Sequence, residues 1–267
     1  MSEFTARTVV VTGASSGIGR ALCLEVAVRR PNLVLAARGA ARLEEVAGEC
    51  RARGAEALVV PTDVESEDAC RNLIDRTVER FGGLDVLVAN AGRTMWARLD
   101  EMKDLSLYEE LMRTNYLGAV YPTFHALPFL KKSRGRIVVV SSLAGLTGVP
   151  ERTGYAATKH ALFGFFESLR IELQGTGVTV TIVAPDFVRS EIHRRAIGAD
   201  GKPLGTSPLS EGKVMTAEEC ARRILRATER RQRLVITSLR GSFGRWARLF
   251  APGLIDAVAR RAIRRGI

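Results

Sequence analysis

A serine, a tyrosine and a lysine near the middle of the chain, Ser142, Tyr155 and Lys159, have the chemistry to transfer a proton. The valine-rich run at 137–140 predicts a buried strand that ends just before Ser142. Tyr155 and Lys159 are four residues apart in the helical pattern that follows, so they share one helix face. A positive charge beside a phenol stabilises the phenolate and lowers its pKa from about 10. Tyr155 is therefore predicted to donate a proton near neutral pH, with the Ser142 hydroxyl bonding the same substrate oxygen.

Taken alone, a Y-x-x-x-K spacing is more often a core tyrosine beside a solvated lysine, so the upstream segments decide between the two interpretations. A glycine-rich turn, spaced G-x-x-x-G-x-G, joins a predicted strand at 8–11 to the first helix. Glycines let the backbone turn tightly and approach a pyrophosphate at a helix N-terminus, where free N–H groups attract anions. The turn predicts a dinucleotide site that contains Gly13, Ser15, Ser16, Gly17, Ile18 and Gly19.

The ends of the next strands predict the rest of a nucleotide site. After the strand at 33–36, Ala37 offers no carboxylate to an adenosine ribose, whereas Arg38 offers a guanidinium suited to a 2′-phosphate. This favours NADP(H), the alternative for Arg38 being an ordinary surface arginine. Asp63 is expected to bond an adenine amino group, to cap the helix after it, or both. Asn90-Ala91-Gly92 end the fourth strand with small residues against which a cofactor could lie.

Composition excludes several other classes of protein. The chain has 267 residues, 46% of them hydrophobic, which is enough for the core of one α/β domain. Of its net charge of +11, the segment 240–267 carries +6, and no basic stripe with interleaved aromatics predicts a nucleic-acid partner. Four scattered cysteines and three isolated histidines predict reduced thiols and no metal site. With no signal pattern and no apolar run near the roughly 18 residues of a spanning helix, a cytoplasmic protein is expected.

Taken in order and with their spacing, these motifs resemble the short-chain dehydrogenase/reductase family over about residues 8–192. The residues that carry the resemblance are Thr12 to Gly19, Asp63-Val64, Asn90-Ala91-Gly92, Asn115, Ser142, Tyr155, Lys159 and Pro185. The resemblance implies an α/β fold with one domain, built on a Rossmann-type doubly wound parallel sheet with helices on both faces. It also implies nicotinamide-dependent chemistry on a carbonyl or alcohol, and assembly into a homodimer or homotetramer.

The resemblance further implies roles for single residues. Asn115 would hold a water in a proton relay through Lys159, which also holds the ribose, and Ser190 would meet the nicotinamide carboxamide. Arg38 matches the position by which members that prefer NADP are recognised. Asp186 stands where the family has a glycine, so the local backbone is expected to differ there. The implied cofactor site also includes Val64, Tyr155, Lys159, Pro185 and Val188.

The predicted reaction is hydride transfer between C4 of NADPH and a carbonyl carbon. Substrate contacts are expected from the stretches 93–96 and 143–152 and from a mobile lid at 191–213, which is rich in glycine, proline and arginine. The apolar contacts expected are Trp96, Leu146, Val149 and Phe187. They favour a lipophilic ketone, a steroid or an acyl chain over a sugar. Two alternatives remain: a catalytically inactive regulatory protein that binds the cofactor, and a membrane-peripheral lipid-ketone reductase.

The segment 241–267 is predicted to be a basic amphipathic tail beyond a catalytic domain at 1–240. Leu254, Val258 and Ala262 line up one turn apart, and arginines cluster toward the end of the helix, where they suit its dipole. Trp246, Leu249 and Phe250 come just before. Two interpretations remain open. The apolar face packs against the pocket mouth or a second subunit, or the tail lies on an anionic membrane.

Overall fold

Seven parallel strands form one sheet in the part of the chain that the computed structural model describes, residues 4–209 and 214–264. The strands are β1 (Thr8–Thr12), β2 (Asn32–Ala37), β3 (Glu56–Pro61), β4 (Val86–Ala89), β5 (Arg136–Val140), β6 (Thr179–Ala184) and β7 (Leu234–Ile236). Their spatial order is β3-β2-β1-β4-β5-β6-β7. The order reverses between β1 and β4, and a crevice for ligands forms there, beyond the carboxyl ends of the strands. The predicted Rossmann-type doubly wound sheet in one domain is confirmed.

Helices cover both faces of this sheet. They are α1 (Gly17–Ala27), α2 (Ala40–Ala52), α3 (Glu67–Phe81), α4 (Ser106–Leu111), α5 (Gly118–Ser133), α6 (Thr153–Glu172), α7 (Ala217–Glu229), α8 (Leu239–Phe250) and α9 (Pro252–Arg264). Helix α1 packs against α2 and α7 on one face, while α3, α5 and α6 pack on the other. Successive residues of β1 serve the two cores, because Val9 and Val11 face α1 and Val10 faces the opposite layer. Because both faces of the sheet are buried, the strand sequences are continuous apolar runs.

Two expectations about helices are wrong. The apolar pattern over 105–130 predicts one long helix that contains Asn115, but a π-helical turn, Met112–Leu117, interrupts it between α4 and α5. Asp63 does not cap α3, because Ser66 is the N-cap residue and accepts a hydrogen bond from the Ala69 amide at 3.2 Å. The Asp63 carboxylate instead accepts from the Glu65 amide at 3.1 Å, within the turn before the helix. Propensity alone does not locate the cap of α3, since local side-chain bonds of Asp63 and Ser66 decide it.

The segment expected to be a lid has ordered contacts over the residues described, 191–209. Ile197 forms isolated bridges with Met95 and with Pro203, and both Ile197 and His193 are buried. The predicted lid residues 210–213, and the last tail residues 265–267, lie outside the described part of the chain. The mobility predicted for the lid stays a prediction.

The four cysteines are free and buried, and burial raises the pKa of each thiol. Within the described residues, no three His, Cys, Asp or Glu side chains are grouped so that they could hold a metal ion. Among the helices that the structure describes, none has the length and hydropathy needed to cross a bilayer.

The turn after β1 makes a prediction about stability. A Cβ at Gly19 would lie 2.2 Å from the Gly13 carbonyl oxygen and 2.6 Å from Asn90 Nδ2. Gly19→Ala should therefore lower the free energy of unfolding by roughly 1–3 kcal/mol, the usual cost of overpacking. Gly48→Ala in α2 is the control, since its added Cβ meets nothing within 4 Å and alanine favours a helix by roughly 0.5–1 kcal/mol. Thermal unfolding measures both. A Gly19→Ala variant as stable as the parent would contradict this packing.

Candidate active site

One cavity of about 790 Å³ lies at the carboxyl ends of the strands and collects most of the predicted site residues. Those that line it are Gly13, Ser15, Ser16, Gly17, Ile18, Arg38, Asp63, Val64, Asn90, Ala91, Gly92, Ser142, Tyr155, Lys159, Pro185, Val188 and Ser190. Gly19 and Asn115 do not line it, but both lie next to residues that do: Gly19 next to Gly13 and Asn90, and Asn115 next to Arg93. Residues from strands far apart in sequence meet here because parallel strands all end at the same edge of the sheet.

The glycine turn has the backbone shape that a phosphate cradle needs. Gly13 and Gly17 have φ of +67° and +54°, a region that residues with a Cβ rarely adopt. A Cβ at Gly13 would lie 2.9 Å from the Ala91 Cα, and one at Gly17 would lie 3.3 Å from the Ser190 Cβ. The turn thus passes close to two other loops, and the N-terminus of α1 opens into the cavity between them.

Asn90 and Thr12 tie the ends of β4 and β1 together. The Thr12 hydroxyl accepts from the amides of Asn90 (3.0 Å) and Ala91 (3.1 Å), and Asn90 Nδ2 donates to the Thr12 carbonyl at 2.9 Å. A Cβ at Gly92 would lie 3.2 Å from Asn115 Oδ1 and 3.7 Å from Lys159 Nζ. The loop after β4 is therefore held against β1, and little space remains for a side chain at Gly92.

Two arginines, Arg38 and Arg42, line the end of the cavity beyond β2. Gly39 caps the N-terminus of α2 between them. Arg42 Nη1 lies 3.6 Å from Glu191 of the segment predicted to be a lid. The sequence reasoning missed Arg42. Arg42 is four residues from Arg38 at the start of a helix, and this spacing could have predicted that the two side chains lie close together. This end of the cavity carries positive charge and no carboxylate from β2.

Ser142, Tyr155 and Lys159 converge on one side of the cavity. Ser142 caps a short 3₁₀ turn, and its Oγ accepts from the Ala144 amide at 3.2 Å and also interacts with the Tyr155 phenol. Lys159 is 4% exposed, and its Nζ donates to the Val140 carbonyl at 3.0 Å, at the end of β5. Ser141 Oγ donates to the Lys159 carbonyl at 3.0 Å, which holds α6 against the same strand end.

The electrostatics of this group favour an acidic phenol. Burial alone would raise the pKa of Tyr155. The charges of Lys159 and Arg152, with hydrogen bonds from Ser142 and Arg152, outweigh burial and lower that pKa below its ordinary value. Burial also lowers the pKa of Lys159, as does the charge of Arg152, against the opposing effect of the phenol. The arrangement can thus offer a proton from Tyr155 to an oxygen that Ser142 also bonds.

Asn115 lies behind this group in the π-helical turn and is 1% exposed. Its Nδ2 donates to the Arg93 carbonyl at 3.0 Å and to Thr158 Oγ1 at 2.9 Å, while its Oδ1 accepts from the Arg93 amide at 2.7 Å. Both amide hydrogens are therefore engaged in joining α6 to the loop after β4. Its implied role in holding a relay water stays a prediction.

The loop after β6 is shaped by Asp186, which replaces a glycine of the family pattern. Its carboxylate accepts two bonds from Arg240, at 2.6 and 2.9 Å, and one from Ser238 at 2.7 Å. Burial acts to raise the pKa of Asp186, but the bonds from Arg240 and Ser238 have the larger, opposite effect. The pKa is therefore lowered, and the carboxylate stays ionised. The Asp186 amide donates to Thr237 Oγ1 at 3.0 Å. The departure from glycine thus anchors the start of α8 to the cavity.

The substrate end of the cavity differs in part from the sequence prediction. Leu146, Val149 and Phe187 line it as expected, but Trp96 does not. The Trp96 ring lies against the guanidinium of Arg152, at 5.4 Å. Arg152 and His193 also line it, and they fall within the stretches 143–152 and 191–213 that are predicted to contact substrate. From the last part of the chain, the lining residues are Arg240, Gly241, Gly244, Arg245, Ile255, Val258, Ala259 and Ile263. No motif assigned a role to these side chains individually, because tertiary contacts bring them to the cavity.

The tail covers one side of the cavity while leaving apolar side chains outside. Ile255, Ala259 and Ile263 of α9 line the cavity, so one face of the tail lies at its mouth. Gly241 of α8 packs so closely on Leu143 that a Cβ there would lie 2.6 Å from its Cδ2. The exposed large apolar side chains among the described residues of the tail are Phe243, Trp246, Leu249, Phe250, Leu254 and Val258.

Comparison with known proteins identifies the class. A family model described as short chain dehydrogenase matches residues 7–199. The chain is 39% identical over 264 residues to 11-beta-hydroxysteroid dehydrogenase A of Sesamum indicum, covering 97% of this chain and 76% of the relative. It is 33% identical to the Dehydrogenase/reductase SDR family protein 7-like of Dictyostelium discoideum, covering 96% and 81%. The chain belongs to the short-chain dehydrogenase family, whose members are oxidoreductases with a nicotinamide cofactor.

Solved structures agree with this fold. A short chain dehydrogenase/reductase from Burkholderia phymatum in complex with NAD matches with a TM-score of 0.84 and 26% identity, covering 95% of this chain and 96% of that chain. An alcohol dehydrogenase from the archaeon Thermococcus sibiricus, complexed with 5-hydroxy-NADP, matches with a TM-score of 0.74 and 28% identity, covering 87% and 95%. The two neighbours hold different nicotinamide cofactors.

Proposed function

We propose that the protein is an NADP(H)-dependent reductase that acts on the carbonyl group of a lipophilic ketone, steroid or acyl compound. The observation that carries this proposal is the meeting of Ser142, Tyr155 and Lys159 with the glycine turn in one cavity. The residues fit a dinucleotide, since Gly13 and Gly17 have no side chain between the backbone and the cavity. A Cβ at Gly13 would approach Asn90, and one at Gly17 would approach Ser190. Arg38 and the glycine turn lie along the same cavity as the phenol.

When bound, the reduced nicotinamide supplies the hydride that adds to the carbonyl carbon. Tyr155 donates its phenolic proton to the carbonyl oxygen, and Ser142 donates a hydrogen bond to that oxygen as its negative charge develops. Lys159 holds the cofactor ribose and keeps the pKa of Tyr155 low. The products are the alcohol and the oxidised nicotinamide, and Tyr155 recovers its proton from solvent. A reduced NADPH pool in the cell makes reduction the working direction.

Tyr155→Phe tests this chemistry, because it keeps the ring and removes the proton. Turnover of NADPH with a screen of ketones, aldehydes, 3-oxoacyl thioesters and ketosteroids should fall by roughly two to four orders of magnitude, while NADPH binding survives. In the parent enzyme the rate of reduction should fall as the pH rises through the lowered pKa of Tyr155, since only the protonated phenol is an acid. Tyr121→Phe, a tyrosine that does not line the cavity, is the control.

Full turnover in Tyr155→Phe would mean that another group is the acid. NADPH binding without turnover of any carbonyl by the parent enzyme would favour the catalytically inactive regulatory protein instead.

The preference for NADP(H) rests on charge at the end of β2. Arg38 and Arg42 line the cavity there, beside the N-terminus of α2, and Ala37 offers no carboxylate to a ribose hydroxyl. Guanidinium groups pair well with phosphate, and a helix N-terminus adds a further attraction for an anion. The free end of Arg38 is exposed and available to such a group.

Arg38→Asp tests the preference, because a carboxylate repels a 2′-phosphate and accepts ribose hydroxyls. The dissociation constant for NADPH should rise by roughly tenfold or more, and that for NADH should stay or fall. Arg51→Met, at the far end of α2, is the control. Fluorescence titration with both cofactors measures the constants. Equal affinities for the two cofactors in the parent protein would refute the preference.

A lipophilic substrate is supported by the apolar side chains Leu146, Val149 and Phe187 along the cavity. Relatives named 11-beta-hydroxysteroid dehydrogenase, at 39% and 37% identity, point in the same direction. The cavity volume of about 790 Å³ lies within the range of roughly 300–1,000 Å³ usual for small-molecule sites. The predicted cytoplasmic location, and the homodimer or homotetramer implied by the family, stay predictions.

A peripheral membrane contact is the second proposal, carried by the outer surface of the tail. Phe243, Trp246 and Phe250 are 73%, 61% and 86% exposed there, next to several arginines. A row of apolar side chains flanked by arginines complements an anionic bilayer surface, whose headgroups attract the charges while the rings enter the interface. Because the inner face of α9 lines the cavity mouth, such a contact would bring a lipophilic substrate to the pocket.

Phe250→Ser in the full chain tests the membrane contact, with Phe124→Ser in α5, 67% exposed, as the matched control. The parent protein and Phe124→Ser should sediment with vesicles of phosphatidylcholine and phosphatidylserine at low salt and be released at high salt. Phe250→Ser should sediment several-fold less, because a large ring no longer enters the interface. A parent protein that stays in the supernatant with anionic vesicles at low salt would refute the contact.

A further inference from the structure

A buried arginine in the substrate end of the cavity has no carboxylate partner among the residues that the structure describes. Arg152 directly precedes α6, is 4% exposed and lines the cavity. Its Nη2 donates to Thr94 Oγ1 at 2.6 Å, it interacts with the Tyr155 phenol, and its Nε is buried with no hydrogen-bond acceptor. A guanidinium stays charged in a protein. An unpaired buried charge is costly, so this arrangement calls for an anion.

Three aromatic rings surround the charge without satisfying it. The guanidinium carbon of Arg152 lies 4.2 Å from the ring centroid of Tyr155, 5.4 Å from that of Trp96 and 5.9 Å from that of Phe187. Ring faces attract a cation, but they offer no lone pairs to its N–H groups. The rings therefore hold the guanidinium in place, while its Nε has no acceptor among the described residues.

A second nitrogen group lies in the same part of the cavity. His193 is 5% exposed, lines the cavity and packs edge to face against Phe187, with ring centroids 6.1 Å apart. Its Nδ1 is buried and has no hydrogen-bond partner among the described residues. Burial, with the charge of Arg152, lowers the pKa of His193 to about 4, so the ring is neutral at pH 7. A neutral imidazole tolerates the nearby cation, and its one N–H is engaged by the Val188 backbone.

The other arginines of the cavity show the contrast. Arg93 also lines the cavity, but its Nη1 pairs with Glu110 at 2.8 Å. Arg240 pairs with both oxygens of Asp186. Of these three arginines, Arg152 is the one without a carboxylate partner among the described residues, so it can pair with an anionic ligand. It lies beside the Tyr155 phenol, which faces the reacting oxygen.

We propose that the substrate is an oxo acid, whose carboxylate pairs with Arg152 while its carbonyl oxygen lies between Ser142 and Tyr155. This inference rests on the proposed function and names the substrate class of that site. The short distance between the Arg152 guanidinium and the Tyr155 ring places the carboxylate within a few bonds of the carbonyl. The rest of the substrate is apolar and lies along Leu146 and Val149. The product is the corresponding hydroxy acid, with the carboxylate unchanged.

The test compares acids with their uncharged esters. Reduction of 2-oxo-4-phenylbutanoate and of 4-oxo-4-phenylbutanoate is measured beside that of each methyl ester, and the ratio of kcat/KM for acid over ester is taken within each variant. Effects of a substitution on Tyr155 itself cancel in this ratio. The ratio for at least one acid should be roughly ten to a hundred in the parent enzyme, the range of a charge-assisted hydrogen bond.

Arg152→Met should bring that ratio to about one or below, since the side chain keeps its length and loses its charge. Arg152→Lys should keep part of the preference. Arg93→Met, which removes an arginine that already has a partner, should leave the ratio as it is. If the parent enzyme reduces the esters with the same kcat/KM as the acids, the oxo-acid assignment is overturned. The proposed reductase is not affected by that result.

A binding measurement decides the assignment even if none of these compounds is reduced. Calorimetry of the enzyme with NADP⁺ compares 4-phenylbutanoate with 4-phenylbutanamide. Tighter binding of the acid by roughly tenfold or more, lost in Arg152→Met, supports the anion site. Equal binding of the two compounds overturns it. The anion site confirmed by binding, with no NADPH oxidation by any carbonyl compound, would instead refute the proposed reductase.

Discussion

The chemistry of this site depends on two cations held next to one phenol with little water. Lys159 and Arg152 are both buried, and in such surroundings charges interact far more strongly than in bulk solvent. Their combined effect on Tyr155 exceeds the opposing effect of burial, so the pKa of the phenol falls. The cost of burying Lys159 is offset by its bond to the Val140 carbonyl at the end of β5. The fold therefore has to deliver a backbone acceptor to that point.

Parallel strands meet this requirement because each ends at the same edge of the sheet. At the edge between β1 and β4, Thr12 and Asn90 bond each other's backbone, which brings the glycine turn against the loop after β4. Gly13 and Gly92 leave no side chains in the gap. One row of backbone contacts thus forms a smooth wall for a flat, charged cofactor, and it aligns that wall with the side chains at the end of β5.

The other end of the cavity combines charge with apolar surface. Arg152 supplies an unpaired cation within a ring of aromatic side chains, while α9 closes one side with Ile255 and Ala259. Asp186 connects the two regions, since it borders the pocket and holds α8 through Arg240. An amphipathic substrate, with an acidic end at Arg152 and an apolar remainder, satisfies both kinds of lining. A small sugar would leave the apolar surface uncovered.

The sequence by itself determined the strand at 137–140, the glycine turn and the grouping of Ser142, Tyr155 and Lys159, because these depend on local periodicity, glycine conformation and short spacing. The parallel α/β fold followed from the resemblance that the ordered motifs carry. It did not reveal the π-helical turn around Asn115, where hydrogen bonds to distant segments change the pitch of a regular helix. Only the tertiary structure decided that Arg152 has no carboxylate partner within residues 4–209 and 214–264. Whether a charge is paired depends on which side chains fold around it, and residues distant in sequence supply them.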